Sequence, residues 1–301
     1  MSGAPDVLVR AIAKSDELRI ITAVTTEIVR EAARRHELRG SAAAAIGRAI
    51  TSGLLLATMT KGDERVTLQL VGDGPLRGVT ADANAAGDVR AYVSRPDAEL
   101  PPADPHTRPR LGPVLGKTGI LTVVRDLGMR ELYQGQVELV SGEIDEDVAR
   151  YLRDSEQVPS ALSCEVVLDA DGGVLRSAGI LVQALPGGLS EVVSGAEARL
   201  RDGALFDLLA TGDMSARELA EQLSPSHPIE FFADRSIRFQ CRCSAERIRS
   251  SLQLLSRVDL DEMIADDEPA SVTCNFCNTT HTVPVDELRE IRDALPASPK
   301  N

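Results

Sequence analysis

The chain has 301 residues, of which 43% are hydrophobic and 26% charged, so it is long enough to bury the core of one large or two modest domains. Its net charge of -13 argues against a nucleic-acid partner, because neutralising phosphates requires a basic surface. The N-terminal segment mixes charged residues among its apolar ones and shows no secretory signal, which predicts a cytoplasmic protein.

Residues 1–185 carry both helical and strand patterns, and we expect them to form an N-terminal mixed α/β-sheet domain of the α+β class. A long helical run begins near Leu38. Its apolar part, 42–59, is interrupted by Arg48 and is interpreted as a buried helix and not a membrane span. The other predicted elements are a strand from Val66 into a turn at Asp73-Gly74, strands at 119–126, 136–141, 164–169 and 174–185, a helix over 142–157, and an extended Pro-rich loop at 100–113.

From residue 186 to 235 the strand patterns stop and short helical patterns take over. Ser215 and Glu218 have the spacing of a capping box, which marks the start of one of these helices. Glycines at 187, 188, 203 and 212 keep the helices short, and short helices are marginally stable on their own. The sequence therefore predicts a metastable helical linker over 186–235, followed by a small C-terminal domain over 236–301.

Four of the five cysteines lie in this C-terminal domain, as Cys241-x-Cys243 and Cys274-x-x-Cys277. In a reducing compartment, paired cysteines indicate metal or redox chemistry more than a disulfide framework. Four thiolates complete a closed tetrahedral zinc site with no position left for substrate. We therefore predict one Zn²⁺ per chain in the reduced state and no catalytic residue, with these four cysteines as the metal ligands.

Two further residues were considered as part of the site. His281, close after the second pair, is a competing ligand, although four thiols leave it as a surface residue or a hydrogen-bond donor to a sulfur. Cys164 alternates with Val166 and Leu168 on one strand face and is interpreted as an inert core thiol.

The C-terminal domain is too small to depend on its own core, whereas structural zinc contributes on the order of 10–16 kcal/mol to folding. Zinc-bound sulfurs are also nucleophilic thiolates, so an oxidant can convert them to disulfides and remove the metal's ligands. A strained Cys241–Cys243 ring would be easily reduced again. Such a site can therefore act as a redox switch for folding as well as a structural support.

At these residues the sequence resembles the bacterial redox-regulated chaperone family, heat-shock protein 33. The resemblance covers most of the chain, through "DVLVRAIA", "GDGPL" (72–76), "LTVVRDLG" (121–128), "YQGQVELVSGEI" (133–144), "SEQVPSA" (155–161), "CRCSAERI" and "VTCNFCN". Two departures are small: Ala91 stands where the family usually has Gly, and "SAGILVQ" (177–183) replaces an "AGG" pattern.

The resemblance implies an ATP-independent holdase that is inactive when reduced and zinc-bound. It implies that oxidation of Cys241, Cys243, Cys274 and Cys277 forms disulfides between neighbouring cysteines, releases zinc and unfolds the C-terminal domain together with the linker. Unfolding client proteins would then bind the exposed hydrophobic surface, commonly on a homodimer. Neither a nucleic-acid nor a membrane partner is implied.

Four features of the sequence have an alternative functional interpretation. "GPVLGKT" (112–118) lacks the first glycine of a P-loop, because Leu111 stands at that position. The acidic run 259–268 is better read as a solvated helix capped by Asp259, with Glu262 three residues on, than as a cation site. A thiol-disulfide oxidoreductase would need its CxxC pair at a helix start after a strand. A zinc ribbon that binds nucleic acid would need a basic surface with aromatic residues, which the acidic tail lacks.

Overall fold

The computed structural model describes residues 5–104, 106–129 and 131–295 and has the predicted α+β fold. The chain divides into two compact units, Met1–Gln240 and Cys241–Asn301. The first unit contains β1 (Val7–Ala13), β2 (Leu18–Val24), α1 (Thr26–Arg35), α2 (Gly40–Ala57), β3 (Arg65–Gly72), β4 (Gly78–Asn84), β5 (Asp88–Val93), α3 (Gly112–Leu115), β6 (Gly119–Asp126), β7 (Tyr133–Glu138), α4 (Ile144–Asp154), β8 (Ser160–Leu168), β9 (Val174–Ala184), α5 (Ser190–Arg201), α6 (Ala204–Thr211), α7 (Ala216–Leu223), β10 (Glu230–Phe231), β11 (Arg235–Ser236) and β12 (Arg238–Phe239). The second contains α8 (Ala245–Leu252), α9 (Arg257–Ala265), β13 (Ala270–Thr273), β14 (Thr280–Val283) and α10 (Val285–Ala294).

Two sheets build the first unit. Sheet A has the order β10-β1-β2-β9-β8, with β11 also pairing with β1. Sheet B has the order β12-β5-β4-β3-β6-β7, in which β12 runs parallel to β5 and the other pairs are antiparallel. The strands alternate apolar and polar side chains along much of sheet B, so one of its faces is buried and the other is in contact with solvent.

Helix α2 lies between the two sheets and packs on β4 and β5 of sheet B and on β8 and β9 of sheet A. Nearly every one of its residues is buried. Close approach depends on its small residues: a Cβ at Gly47 would lie 2.6 Å from Val166 Cγ2 and 2.8 Å from Val29 Cγ1. Among the described residues α2 is the only helix long and apolar enough to cross a membrane, and it lies inside the core, as predicted for 42–59.

The opposite face of sheet A is covered by α5, α6 and α7, the three helices of the predicted linker. Each helix buries only three or four side chains against the sheet. The capping box predicted at Ser215 and Glu218 is confirmed, since the Ser215 hydroxyl accepts the Glu218 N–H and the Glu218 carboxylate accepts the Ser215 N–H. The linker thus packs on the rest of the first unit in this structure.

Several predicted bounds were wrong. The strand predicted at 136–141 is β7, which begins and ends three residues earlier, because Asp147 accepts the N–H groups of Val140, Ser141 and Gly142 and turns the chain into α4. The loop predicted through residue 113 gives way to α3 at Gly112. The linker is not purely helical, since β10 pairs with β1. The division at 185 and 235 stays a prediction.

The second unit is a β13–β14 hairpin with three helices. Its apolar core is small and consists of Ile248, Leu252, Leu260, Val283, Leu288 and Ile291. The cap predicted for the acidic helix was wrong: Ser256 is the N-cap of α9, and Asp259 is the third helical residue that completes its capping box. The Asp259 carboxylate accepts the N–H of Ser256, and the Ser256 hydroxyl accepts the N–H of Asp259. This reciprocal pair starts the helix at Ser256, about one turn before Asp259.

Candidate metal centre

The second cysteine pair lies in the turn between β13 and β14. The N–H of Cys274 donates to the carbonyl of Thr279 at 2.9 Å, and the N–H of Asn278 donates to the carbonyl of Cys274 at 2.8 Å. Asn278 has φ of 54°, a left-handed conformation that asparagine tolerates better than most residues. The turn therefore places the sulfurs of Cys274 and Cys277 on one side of the hairpin end.

The first pair lies in an extended segment directly before α8. Ser244 ends this segment as the N-cap of α8, where its hydroxyl accepts the N–H of Arg247. Cys241 and Cys243 alternate around Arg242, and the structure brings both sulfurs to the hairpin turn. Two short local motifs, far apart in the sequence, thus meet at one point.

The four sulfurs form a compact cluster in which all Sγ atoms lie within 4.8 Å of one another. Cys241 Sγ lies 3.7 Å from Cys274 Sγ, and Cys243 Sγ lies 3.4 Å from Cys277 Sγ. A tetrahedral zinc site with Zn–S bonds of about 2.3 Å has sulfurs about 3.8 Å apart. The donor number, donor type and spacing therefore fit a single metal ion held by sulfur alone, and Zn²⁺ as that ion stays a prediction.

The environment shifts the pKa values of Cys243, Cys274 and Cys277 in different directions. Burial opposes ionisation of Cys277, but hydrogen bonds with the side chain and backbone of Thr279 outweigh it and lower the pKa of Cys277 to about 7. Burial raises the pKa of Cys243 and Cys274 above the ordinary thiol value. Since the thiolate is the form that binds metal and reacts with oxidants, Cys277 is more readily available for both than Cys243 or Cys274.

His281 is not part of the sulfur cluster. It lies on β14 opposite Val272, and its Nε2 atom is buried without a hydrogen-bond partner among the described residues. Cys164 is fully buried in the first unit, where the Ser52 hydroxyl donates to its sulfur at 3.3 Å and burial raises its pKa well above the usual value. It lies where the sequence placed it, in the core.

The rejected motifs have ordinary structural roles. Cys274 and Cys277 lie in a hairpin turn, whereas a thioredoxin-like CxxC pair starts a helix. The "GPVLGKT" segment forms the four-residue helix α3, and the N–H groups of Val114 and Leu115 already donate to the Leu111 carbonyl. Neither segment has the geometry of the enzyme motif it resembles.

Comparison with known proteins gives a consistent answer. The family model described as Hsp33 protein matches residues 6–284. The "33 kDa chaperonin" of Bacillus subtilis (strain 168) is 37% identical over 290 residues, which cover 96% of this chain and 98% of that protein. The "33 kDa chaperonin" of Synechococcus sp. (strain JA-3-3Ab) is 39% identical over 300 residues, covering 99% and 93%.

A solved structure agrees with the sequence relatives. The crystal structure of the 33 kDa chaperonin (heat shock protein 33 homolog) from Thermotoga maritima superposes with a TM-score of 0.83 at 30% identity, covering 96% of this chain and 98% of that one. Family model, full-length relatives and fold therefore coincide. This chain is a member of the Hsp33 protein family, and that membership supports a chaperone function.

Proposed function

We propose that this protein is a redox-regulated, ATP-independent holdase of the cytoplasm, which binds unfolding proteins during oxidative stress. Its activity would be binding and not catalysis. The observation that carries the proposal is the cluster of four thiols in a unit whose apolar core, among the described residues, consists of six buried side chains and five partly buried ones. That unit directly follows a linker which covers an apolar sheet face.

In the reduced protein the four cysteines would hold one zinc ion. When bound, zinc keeps the sulfurs as thiolates and supplies on the order of 10–16 kcal/mol of folding free energy. A core of Ile248, Leu252, Leu260 and their few neighbours is too small to hold the unit folded alone. The folded state of residues 241–295 therefore depends on the oxidation state of its sulfurs.

Oxidation would remove that support. Four thiolates give up four electrons as two S–S bonds form. Two molecules of a peroxide, ROOH, accept these electrons together with four protons and become two molecules of water and two of ROH. The disulfide sulfurs no longer bind zinc as thiolates, so the unit loses the contribution of zinc binding to its folding free energy. The linker, which precedes this unit in the sequence, would then open as well.

The surface for clients would be the face of sheet A beneath α5, α6 and α7. Its side chains are aliphatic and buried by the linker, namely Val9, Ala11, Ala13, Ile20, Ala161, Ala178, Ile180 and Val182. Displacing the three helices would expose a continuous apolar sheet face. Large exposed apolar patches are typical of protein-binding surfaces. An oxidised homodimer would present two such faces.

The test compares reduced and oxidised full-length protein without ATP. We expect only the oxidised protein to suppress light scattering by an aggregating client, with one zinc released per chain to a chromogenic chelator. Hydrogen exchange should rise in 186–235 and 241–295 but not in β3–β6, and sedimentation should show a dimer. Cys164→Ser is the control and should behave like wild type, since Cys164 is fully buried and does not belong to the cluster. Equal holding by the reduced form, or zinc release without loss of linker protection, would contradict the proposal.

A further inference from the structure

Each of the three linker helices has an arginine side chain at its C-terminal end. Arg108 Nη1 donates to the carbonyl of Arg201, the last residue of α5, and Arg176 Nη1 donates to the carbonyl of Leu209 in α6, each at 3.0 Å. Arg199 Nη2 donates at 3.0 Å to the carbonyl of Gln222 in α7. The last four carbonyls of a helix lack helical partners and carry its negative dipole end, so a cation there is favourable.

The three arginines differ in where they come from. Arg199 lies on α5 and connects one linker helix to another, so it would move with the linker. Arg108 lies in the loop before α3, and Arg176 lies on β9, so both belong to the part of the first unit that the linker covers. These two side chains therefore connect the linker to the surface beneath it.

Arg108 is held in place by a buried group of charges. Its Nε lies 2.7 Å from Glu165 Oε1 and its Nη2 lies 3.4 Å from Asp145 Oδ2, and its side chain is only 13% exposed. The same two carboxylates contact Arg48, which is fully buried on α2. A guanidinium fixed from one side in this way loses little side-chain entropy when it binds the α5 carbonyl.

Arg176 holds α6 in a different way. Its Nε donates to Asp213 Oδ1 at 2.7 Å, so the one side chain contacts both the last turn of α6 and the residue pair that follows the helix. Its backbone is fixed by pairing of β9 with β8, where Val167 is its neighbour. No buried carboxylate takes part in this contact.

The helices that these arginines hold are weak in themselves. α5 has Gly195 in its middle, and a central glycine costs about 1 kcal/mol relative to alanine. α6 has eight residues, which is too short for an isolated helix to be stable. Each helix also buries three apolar side chains on the sheet, and a charge-assisted hydrogen bond from a fixed donor adds to this packing at the helix end.

We infer that Arg108 and Arg176 are positioning residues that hold α5 and α6 on sheet A and so set how readily its apolar face is uncovered. The inference rests on the proposed function for its consequence in client binding. Its structural content, the retention of the two helices, is measurable by itself.

The test uses reduced, zinc-loaded, full-length protein carrying Arg108→Gln, Arg176→Gln or both. Losing a hydrogen bond to a charged group should speed amide exchange in the affected helix by about tenfold or more. We expect client holding without oxidant in the double variant, with zinc content unchanged at one per chain. The matched control is Arg153→Gln, because Arg153 also reaches α5 from outside the linker but only as an exposed pair, 3.7 Å from Glu197. It should stay within about twofold of wild type.

Arg108→Gln removes a cation from a buried charge group, so it can also weaken the core. Faster amide exchange in β8 and β9 would reveal a weakened core. In that case Arg176→Gln, at a side chain that contacts no buried carboxylate, tests whether these arginines hold the linker. Unchanged linker exchange in Arg176→Gln and the double variant overturns the inference. If oxidised wild type still holds clients in that case, the proposed function stands. If the variants loosen the linker but no form holds clients, the inference stands and the proposed function fails.

Discussion

The two faces of sheet A are covered in different ways. One face packs on α2, a single long helix that is buried on nearly every side because sheet B lies behind it. The other face packs on three short helices, separated by Gly203 and Gly212 and open to solvent on their outer side. The sheet residues are aliphatic on both faces. Under the proposed function, therefore, the difference between a permanent and a removable cover lies in the covering helices and not in the hydrophobicity of the sheet.

The largest effect should come from removing a zinc ligand. Cys274→Ser leaves three thiolates in a cluster that fits four, so we expect zinc content near zero and the loss of a term on the order of 10 kcal/mol in the second unit. Metal analysis and hydrogen exchange measure both. If the two faces differ as described, the α5–α7 face should loosen while β3–β6 and α2 stay protected. His281→Ala is the control and should keep its zinc, and loss of the metal there would mean that a ligand was misassigned.

A matched pair of core truncations compares the two faces directly. Leu55 on α2 and Leu219 on α7 are both fully buried leucines, and each change to alanine should cost about 2–5 kcal/mol. Leu55→Ala should lower the urea midpoint of the whole first unit. Leu219→Ala should instead speed exchange in α5–α7 and give client holding without oxidant. Similar global losses in both variants would show that the linker is an inseparable part of the core.

The charge group beside α2 predicts a pH dependence. Burial, opposed by Arg48, raises the pKa of Glu165 to about 7, whereas the unfolded carboxyl titrates near 4.5. The folded state therefore holds this proton more tightly, and stability falls as pH rises from about 4.5 to about 7, by about 3 kcal/mol in all. Glu165→Gln should remove this slope from urea unfolding curves measured between pH 5 and 8. A wild-type curve without the slope would contradict the expectation.

The smallest effect tests the linker face alone. Ser215→Ala removes the capping box of α7 and should cost about 1 kcal/mol, which speeds exchange in that helix by about fivefold. Ser194→Ala is the control, because Ser194 lies exposed within α5 and its hydroxyl donates only to the carbonyl of Ser190. Equal responses in the two variants would indicate that capping does not limit opening of the linker.

Local patterns predicted local features well. The capping box at Ser215 follows from a spacing of three residues, and the shared metal-binding chemistry of the two cysteine pairs predicts that they meet. The return of β10 to β1 does not, because two-residue strands carry no periodicity. In the sequence, Arg48 stands out only as an interruption of an apolar run. Its partners Glu143 and Glu165 are brought to it by α4 and β8, which no local pattern indicates.

The strands at the end of the linker give its proposed release a particular geometry. β11 pairs with β1, and β12 pairs with β5, so the chain is fastened to the first unit again just beyond residue 235, as it is by β9 before residue 186. A segment tied down at both ends opens as a loop and cannot diffuse away. Its helices stay at a high effective concentration beside the face they left, so a bound client competes with an intramolecular ligand. Once the thiols are reduced, recovery of the closed state should follow first-order kinetics independent of protein concentration.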